Sequence, residues 1–565
     1  MLRIEVAMKM HPELTGAIPD SRGINLYRAD GDAAALFRHY LPQDLFGHLE
    51  PHFDRLGALA GDRLDELAGI ADHNPPTLAV RRRTGEDCNR IEKHPAYVEM
   101  ERIAFAEFGL AAMSHRGALG WPEPMPPVAK YALTYLFVQA EFGLLCPVNM
   151  TDSLTRTLKR YGDPALVARF IDRLTSLDFD TLAQGAMFMT EQGAGSDIAA
   201  TATRAEPRQD GAWALTGEKW FCSNPDADLA MVLARSETDA GLKGVSLFLL
   251  PQTRRDGSPN SYRILRLKDK LGTRSMASGE VRLEAAEAYL VGERGRGFQQ
   301  LADMVNSSRL SNGVRAAGLM RRAVTEALFI ARRRKAFGRT LIEMPLMRRQ
   351  LGKMLVPTEQ ARTMMFLTAQ ALHRANEGDP IGAKLSRIMT PLIKFRACRD
   401  AREVTGDAME VRGGCGYIEE WSDARLVRDA HLGSIWEGTS NIVALDLLRA
   451  IARDDCLPAL ERHAAALLDD AALDSPAHAL FTSTLAKVCA FAGRAAAEKS
   501  EALARQAASA LYHVTSAIGL AHEAAKTQLP HRLTFARQVL AHRLLPRDPL
   551  AAENEEPVLP GSEIV

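Results

Sequence analysis

Six short runs between residues 186 and 285 decide the fold: AMFMT (186–190), WALTGEKWF (213–221), LAMVLAR (229–235), VSLFLL (245–250), YRILRL (262–267) and EVRLEA (280–285). Each is rich in β-branched, aromatic or other large apolar residues. Gly and Pro turns such as QDGA (209–212) and RRDGSP (254–259) separate them, a pattern that predicts an antiparallel sandwich or barrel. On either side the texture changes. Residues 1–182 mix apolar and charged residues at helical spacing, as in YALTYLFVQAEFGLL (131–145), with breaks at Pro75-Pro76 and WPEPMPP (121–127). After residue 297 the helical period returns, and Met320, Val324, Ala327, Leu328 and Ala331 share one face. The expectation is an α+β chain, mostly α, in the order N-terminal helical domain (1–182), middle antiparallel β domain (183–291) and C-terminal helical bundle (292–452). An additional Ala-rich helical region (453–547) and a frayed acidic tail (548–565) follow. Strands and helices do not alternate, which disfavours a doubly wound parallel sheet.

The chain has 565 residues, of which 46% are hydrophobic, and 70 Lys plus Arg balance 70 Asp plus Glu. That length calls for more than one core, and the composition excludes disorder over most of it. Zero net charge removes the global argument for a nucleic-acid or membrane-surface protein and leaves only a local patch to support one. Seven scattered cysteines without a C-x-x-C pair predict incidental thiols in a reducing compartment and no zinc site. Glu5 and Glu13 interrupt the N-terminal stretch MLRIEVAMKMHPEL where a secretory leader needs an apolar core, and no run of about 20 apolar residues exists to span a bilayer. A soluble cytoplasmic protein with no membrane partner is expected.

Some apparent motifs carry no weight. GERGRGF (292–298) lacks the glycine order of a dinucleotide turn and reads as a domain-boundary turn, and HEAAK (522–526) lacks the second histidine of a zinc-protease helix. Four separated segments do carry weight. MTEQGAGSD (189–197) runs from a strand end at Thr190 into a small-residue loop with Ser196, which either joins strands or lets backbone N–H groups approach a flat or anionic ligand. GEKWFCSN (217–224) is an aromatic pair on a strand followed by Ser223, a pattern more often core than ligand wall. RRRKAFGRTL (332–341) closes a long helix, where Arg334 either complements the helix dipole or clamps a phosphate. The fourth segment spans MEVRGGCGYIEEW (409–421) and LVRDAHLGSIWEGTSNI (426–442). Gly413, Gly414 and Gly416 offer bare backbone there, and Glu437 stands between Trp436 and Gly438, where an apolar wall would raise its pKa towards general-base use.

In this order and spacing the segments resemble the flavin-dependent acyl-CoA dehydrogenase family over residues 75–450. The resemblance implies an N-terminal helical domain, a middle β domain and a C-terminal four-helix bundle, with FAD held between the last two in a homotetramer. By that resemblance Met189, Thr190, Ser196, Phe221 and Ser223 line the flavin ring. Arg334, Phe337, Glu410, Gly413 and Gly414 approach the pyrophosphate and adenine side from a neighbouring subunit, and Thr439 and Asn441 add FAD contacts. Ala336 and Glu410 depart from the family pattern, which has a hydroxyl residue and a Gln there. Glu437 matches the family base, which removes the α proton of an acyl-CoA thioester. Some members place the base on the earlier helix before an arginine matching Arg309, but that position here is Ser308.

GINLYRADGD (23–32), ADHNPP (71–76), FGLLCPVNMT (142–151), LKDKLGTRSMASGEV (267–281) and PLMRR (345–349) extend the resemblance to the AidB-type branch, flavoproteins linked to the DNA-alkylation response. That branch implies FAD, weak dehydrogenase activity and duplex DNA as a partner of a basic C-terminal region. Residues 481–547 carry nine basic and three acidic residues, net +6. If residues 526–547 form one helix, Arg532, Arg543 and Arg547 share an edge, with Lys526 and Arg537 nearby, although a solvated helix face is the commoner meaning of such charge. The readings are therefore an acyl-CoA dehydrogenase with an unidentified electron acceptor, a DNA-protecting flavoprotein with a vestigial site, and an acyl-CoA oxidase.

Overall fold

The computed structural model describes residues 18–238 and 241–550; the N-terminal leader argument and most of the expected acidic tail lie outside them. Elements run α1 (Ala33–Tyr40), α2 (Gln43–Gly61), α3 (Arg63–His73), β1 (Thr77–Arg81), β2 (Asp87–Glu92), α4 (Pro95–Arg102), α5 (Pro127–Phe137), α6 (Leu145–Tyr161) and α7 (Pro164–Leu174). The strand region holds β3 (Gly185–Phe188), β4 (Arg204–Pro207), β5 (Trp213–Ser223), β6 (Leu229–Arg235), β7 (Val245–Pro251), β8 (Tyr262–Leu267) and β9 (Ser278–Leu290). Then follow α8 (Gly297–Arg333), β10 (Lys335–Ala336), β11 (Arg339–Thr340), α9 (Pro345–Asn376), α10 (Pro380–Arg412), α11 (Ser422–Gly433) and α12 (Ser440–Asp454). The chain closes with α13 (Leu457–Asp469), α14 (Ser475–Ala497), α15 (Ala504–Thr527) and α16 (His531–Val539).

The N-terminal region is not purely helical. TLAVRRRTGEDCNRIE (77–92) forms the β1–β2 hairpin, turning at Gly85 with φ +92°. Its side chains are mostly exposed, so no apolar alternation marks it. Asn89 ties it to the β domain, donating Nδ2 to Ile264 O at 2.8 Å and accepting Ile264 N–H at 2.7 Å, while Ile91 packs into the core.

The middle domain is a barrel, and it is mixed where an antiparallel one was expected. β6 pairs β4, β4 pairs β5, β5 pairs β9, β9 pairs β7 and β7 returns to β6; β3 and β8 attach to this ring. β3–β6 and β4–β6 are parallel. A parallel neighbour needs a long crossover, and here residues 189–228 supply it. The segment MTEQGAGSD thus begins the crossover between two buried parallel strands. β7 is buried along its whole length, with α8 packed on it, and β6, flanked by β3 and β7, for all but its last residue.

α8, α9 and α10 pack on one another as the long members of the C-terminal bundle, joined by α11 and α12. Gly313 permits the close approach of α8 and α10, since a Cβ there would lie 2.7 Å from Ile393 Cγ1. The last helices fold back on this bundle, with α15 against α9, α10 and α12 and buried without interruption from Leu511 to Glu523.

The shared basic edge that one helix over residues 526–547 would present does not form. Gln528, with φ +58°, ends α15, and α16 is followed by a wider π-turn over Leu540–Leu544, so residues 526–547 are not one helix. Arg532 is wholly buried, bonding Glu523 at 2.5 and 2.9 Å, Glu359 at 2.6 Å and Asp32 at 3.0 Å. Lys526 pairs with Asp470 at 2.6 Å, and Arg537, Arg543 and Arg547 are exposed. The partner acid Asp32 comes from GINLYRADGD, whose Asp30 also holds Arg362, so this motif clasps the C-terminal helices to the N-terminal domain.

Candidate active site

A cavity of about 1180 Å³ lies between the barrel and the first half of α8, bounded on its third side by the α11–α12 turn. Phe298, Ala302, Val305, Asn306 and Arg309 face it from successive turns of α8. Cys146 and Met150 of α6 and Met187 of β3 add an apolar wall. Thr439, Ile442, Asp446, Arg449 and Arg453 line it along α12, so one end is apolar and the other charged.

The barrel contributes Met189, Thr190 and Ser196 from the crossover and Phe221 and Ser223 from β5. Trp220 N–H donates to Thr190 O at 2.9 Å, which ties the crossover to β5. Glu191 anchors its far side, accepting from Ala202 N at 2.7 Å, Thr203 Oγ1 at 2.6 Å and Lys219 Nζ at 2.7 Å. The intervening Gly193 and Gly195 have nothing within 4 Å of an added Cβ, leaving an open cradle beside the anchored ends. The aromatic pair is not core at Phe221, which is 58% exposed on the cavity wall with the Lys268 ammonium 5.0 Å from its ring.

Glu437 occupies the turn between α11 and α12 at φ +55°, followed by Gly438 at φ +98°. Beside it Trp436 stacks on Phe142 with ring centroids 6.0 Å apart, and the Arg315 guanidinium lies 4.6 Å from the Trp436 ring and 5.0 Å from that of Phe142. Glu437 Oε2 is buried without a hydrogen-bond partner. Burial pushes its carboxyl pKa up, and Arg309, Lys394 and Arg315 partly offset that. Arg309 Nε donates to Glu437 O at 3.0 Å, and its Nη1 to Asp446 Oδ2 at 2.7 Å. Ser308, the alternative base position, is tied to α6 by Asn149 Nδ2 at 3.2 Å.

Seven of the residues singled out in the sequence therefore share one cavity: Met189, Thr190, Ser196, Phe221, Ser223, Glu437 and Thr439. Asn441 is exposed on the first turn of α12 and does not line it. Arg334, Phe337, Glu410, Gly413 and Gly414 gather elsewhere, at the far ends of α8 and α10, where Arg334 Nη1 donates to Arg412 O at 2.7 Å and stands over Gly413. Arg334 follows Arg309 by 25 positions of α8, so about 37 Å separates this cluster from the cavity. Phe337, Leu346 and Tyr417 are exposed around it by 97%, 83% and 81%. Lys394 and Arg315 belong to no segment singled out in the sequence; they lie in long buried stretches of α10 and α8.

Three family models cover the chain in succession: the AidB N-terminal domain at 17–181, the acyl-CoA dehydrogenase middle domain at 186–286 and the acyl-CoA dehydrogenase C-terminal domain at 295–452. The putative acyl-CoA dehydrogenase AidB of Escherichia coli is 37% identical over 402 residues, 68% of this chain and 71% of that protein. The chain belongs to the acyl-CoA dehydrogenase family. Acyl-CoA dehydrogenase family member 11 of Caenorhabditis elegans is 31% identical over 440 residues, 75% of this chain and 70% of that one. Among solved structures, C. elegans ACDH-11 in complex with C11-CoA matches with a TM-score of 0.88 at 26% identity, covering 94% of each chain. The apo-form of Bd2924 matches with a TM-score of 0.82 at 29% identity, covering 90% of this chain and 99% of that one.

As a member of the acyl-CoA dehydrogenase family the chain is an FAD-dependent oxidoreductase. The cavity suits a flavin on its own terms: open glycine backbone, hydroxyls at Thr190, Ser196 and Ser223, an exposed aromatic face at Phe221 and an orphaned carboxylate oxygen opposite. Among the described residues no His, Cys, Asp or Glu cluster could hold a metal, all seven cysteines are free, and no helix is long and apolar enough to cross a membrane.

Proposed function

We propose that the chain removes the α and β hydrogens of an acyl-CoA thioester with Glu437 as the base, in a cytoplasmic homotetramer. The observation that carries this reading is Glu437 Oε2, a buried carboxylate oxygen with no internal partner that lines a large cavity. A buried acceptor left unpaired is costly unless something else meets it, and an acidic Cα–H suits a base of raised pKa. Met189, Thr190, Ser196, Phe221, Ser223 and Thr439 would hold the isoalloxazine end of FAD. Bound FAD supplies the two-electron acceptor. Cys146, Met150 and Ile442 supply the apolar surface for an acyl chain, and Trp436 packed on Phe142 keeps water from the base. The C11-CoA bound by the C. elegans relative makes medium-length chains the first substrates to try.

The second cluster supports the oligomer. Arg334, Phe337, Glu410, Gly413 and Gly414 are too far along α8 to reach the cavity of their own chain, yet they present a guanidinium, bare backbone and exposed apolar side chains. A second copy that buried Phe337, Leu346 and Tyr417 would bring them to the pyrophosphate and adenine end of its FAD.

Anaerobic titration with a panel of acyl-CoAs tests the reading. The wild-type flavin bleaches, Glu437→Gln keeps its FAD and does not bleach, and a panel that leaves the wild type fully oxidised overturns it. The alternative of a DNA-protecting flavoprotein would instead show tight, salt-dependent duplex binding without bleaching. With Arg532 committed to internal carboxylates, no observation favours that alternative.

A further inference from the structure

Two cations, a part-buried Arg309 and a buried Lys394, grip consecutive carbonyls of the turn that carries Glu437. Arg309 holds the Glu437 carbonyl from α8, and it is itself held by Asp446. Lys394 reaches from α10 and donates Nζ to the Gly438 carbonyl. The two cations differ in their surroundings. Lys394 is 1% exposed and makes no ion pair among the described residues; the charged and titratable groups acting on it are Cys398, Arg309 and Glu437.

An ammonium group buried without a carboxylate is an expensive feature for a helix bundle to retain. Here burial brings its pKa down to about 8. Packing alone does not require it, because a methionine would fill the same volume with no charge to bury. The close α8–α10 approach at Gly313 and Ile393 sets Lys394 against the turn. The turn has reason to need holding. Glu437 and Gly438 both have positive φ, a conformation that a residue with a Cβ adopts only when its surroundings impose it. Relaxation of the Gly438 peptide would rotate Glu437 away from the cavity.

We propose, on the reading of Glu437 as the base, that Lys394 is a positioning residue: it pins the Gly438 carbonyl, holds Glu437 in its left-handed conformation and so keeps the carboxylate aimed at the substrate. Arg309 performs the same service one peptide earlier. The ammonium also adds positive charge beside the carboxylate, which favours the ionised form the reaction needs.

The test is Lys394→Met, a near-isosteric change, in the full-length FAD-loaded protein, read by anaerobic stopped-flow with an acyl-CoA that bleaches the wild type. The limiting rate of flavin bleaching falls tenfold or more, while FAD content and the Kd for the acyl-CoA stay within about twofold of wild type. Lys394→Arg, which retains charge and donors, recovers part of the rate. A Lys394→Met protein that bleaches at the wild-type limiting rate overturns the proposal, as does one whose loss lies wholly in Kd. If Lys394→Met does not fold, Lys394→Gln, polar but too short to reach the carbonyl, is read by the same criterion. Loss of flavin or fold in both makes the lysine structural and also overturns it. A wild type that no acyl-CoA bleaches sinks the dehydrogenase reading itself, a result visible before any variant is made.

Discussion

At Glu437 a carboxylate is held buried, strained and unpaired, so its chemistry and its cost are linked. Replacing a general base lowers the chemical rate by about 10²–10⁴-fold, so Glu437→Gln should lose that much of the bleaching rate with FAD retained. The rate should rise with pH through an apparent pKa above the usual carboxylate range, because burial raises the pKa and only the ionised form accepts the proton. Arg315→Met removes one of the cations that oppose burial, so this limb should move to higher pH; a limb that stays in place removes Arg315 from the account. Stability runs the other way. A carboxyl raised in the folded state binds more protons there than in the unfolded chain, so it loses stability as pH climbs through that window. Glu437→Gln should therefore melt higher than wild type near neutral pH, as calorimetry would show. Glu437 was legible in the sequence because its neighbours Trp436 and Gly438 are local. Lys394 was not, because its role depends on a carbonyl 44 positions away.

Among elements, strand-forming runs such as those of β5, β6 and β7 were legible because each buries at least one face and its composition records that burial. The hairpin of β1 and β2 was not, since its faces are mostly wet and a side-chain amide, Asn89, docks it. The C-terminal helices show the same limit for charge. Spacing at 100° per residue put Arg532 on an edge with Arg543, but the left-handed Gln528 and the π-turn break that helix, and four carboxylate contacts draw Arg532 inside. Arg532→Met should cost about 3–5 kcal/mol by stranding Glu523 and Glu359, whereas Arg537→Ala and Arg543→Ala should stay within about 0.5 kcal/mol, measured by denaturant unfolding. Equal small effects at all three would refute the buried assignment.

For the molecule as a whole, about 37 Å along α8 separates the cavity from the Arg334 cluster, so on the proposed reading of that cluster assembly would be a condition of cofactor binding. Phe337→Asp, on a side chain 97% exposed, should leave the monomer folded yet split the assembly and weaken FAD binding at least tenfold. Light scattering with flavin absorbance would check both, and an intact assembly with full flavin would exclude this face. Acid should also act globally. His513 is buried and neutral, facing the Gln360 amide at 3.0 Å, with its pKa far below the ordinary value, and His463 is lowered to about 4. Their contribution is present above about pH 6.5 and is lost as pH falls towards 4, at about 1.4 kcal/mol per pH unit for a histidine kept neutral like His513. The melting temperature should fall over that range, and His463→Asn should flatten the slope.

The sequence by itself determined the order of helical, strand and helical regions, and its resemblance to the family singled out seven residues that the fold brings to one cavity, Glu437 among them. The order of regions follows from burial periodicity, and the resemblance rests on short motifs, both of which act over a few positions. Tertiary structure alone decided where the charges went. Arg532 found Asp32 across 500 positions, Arg309 and Lys394 found two adjacent carbonyls of one turn, and β3 settled parallel to β6 of the barrel through the crossover that lines the cavity. A charge carries no periodicity that says whether water or a distant carboxylate will solvate it, so its place is settled only when the chain has packed.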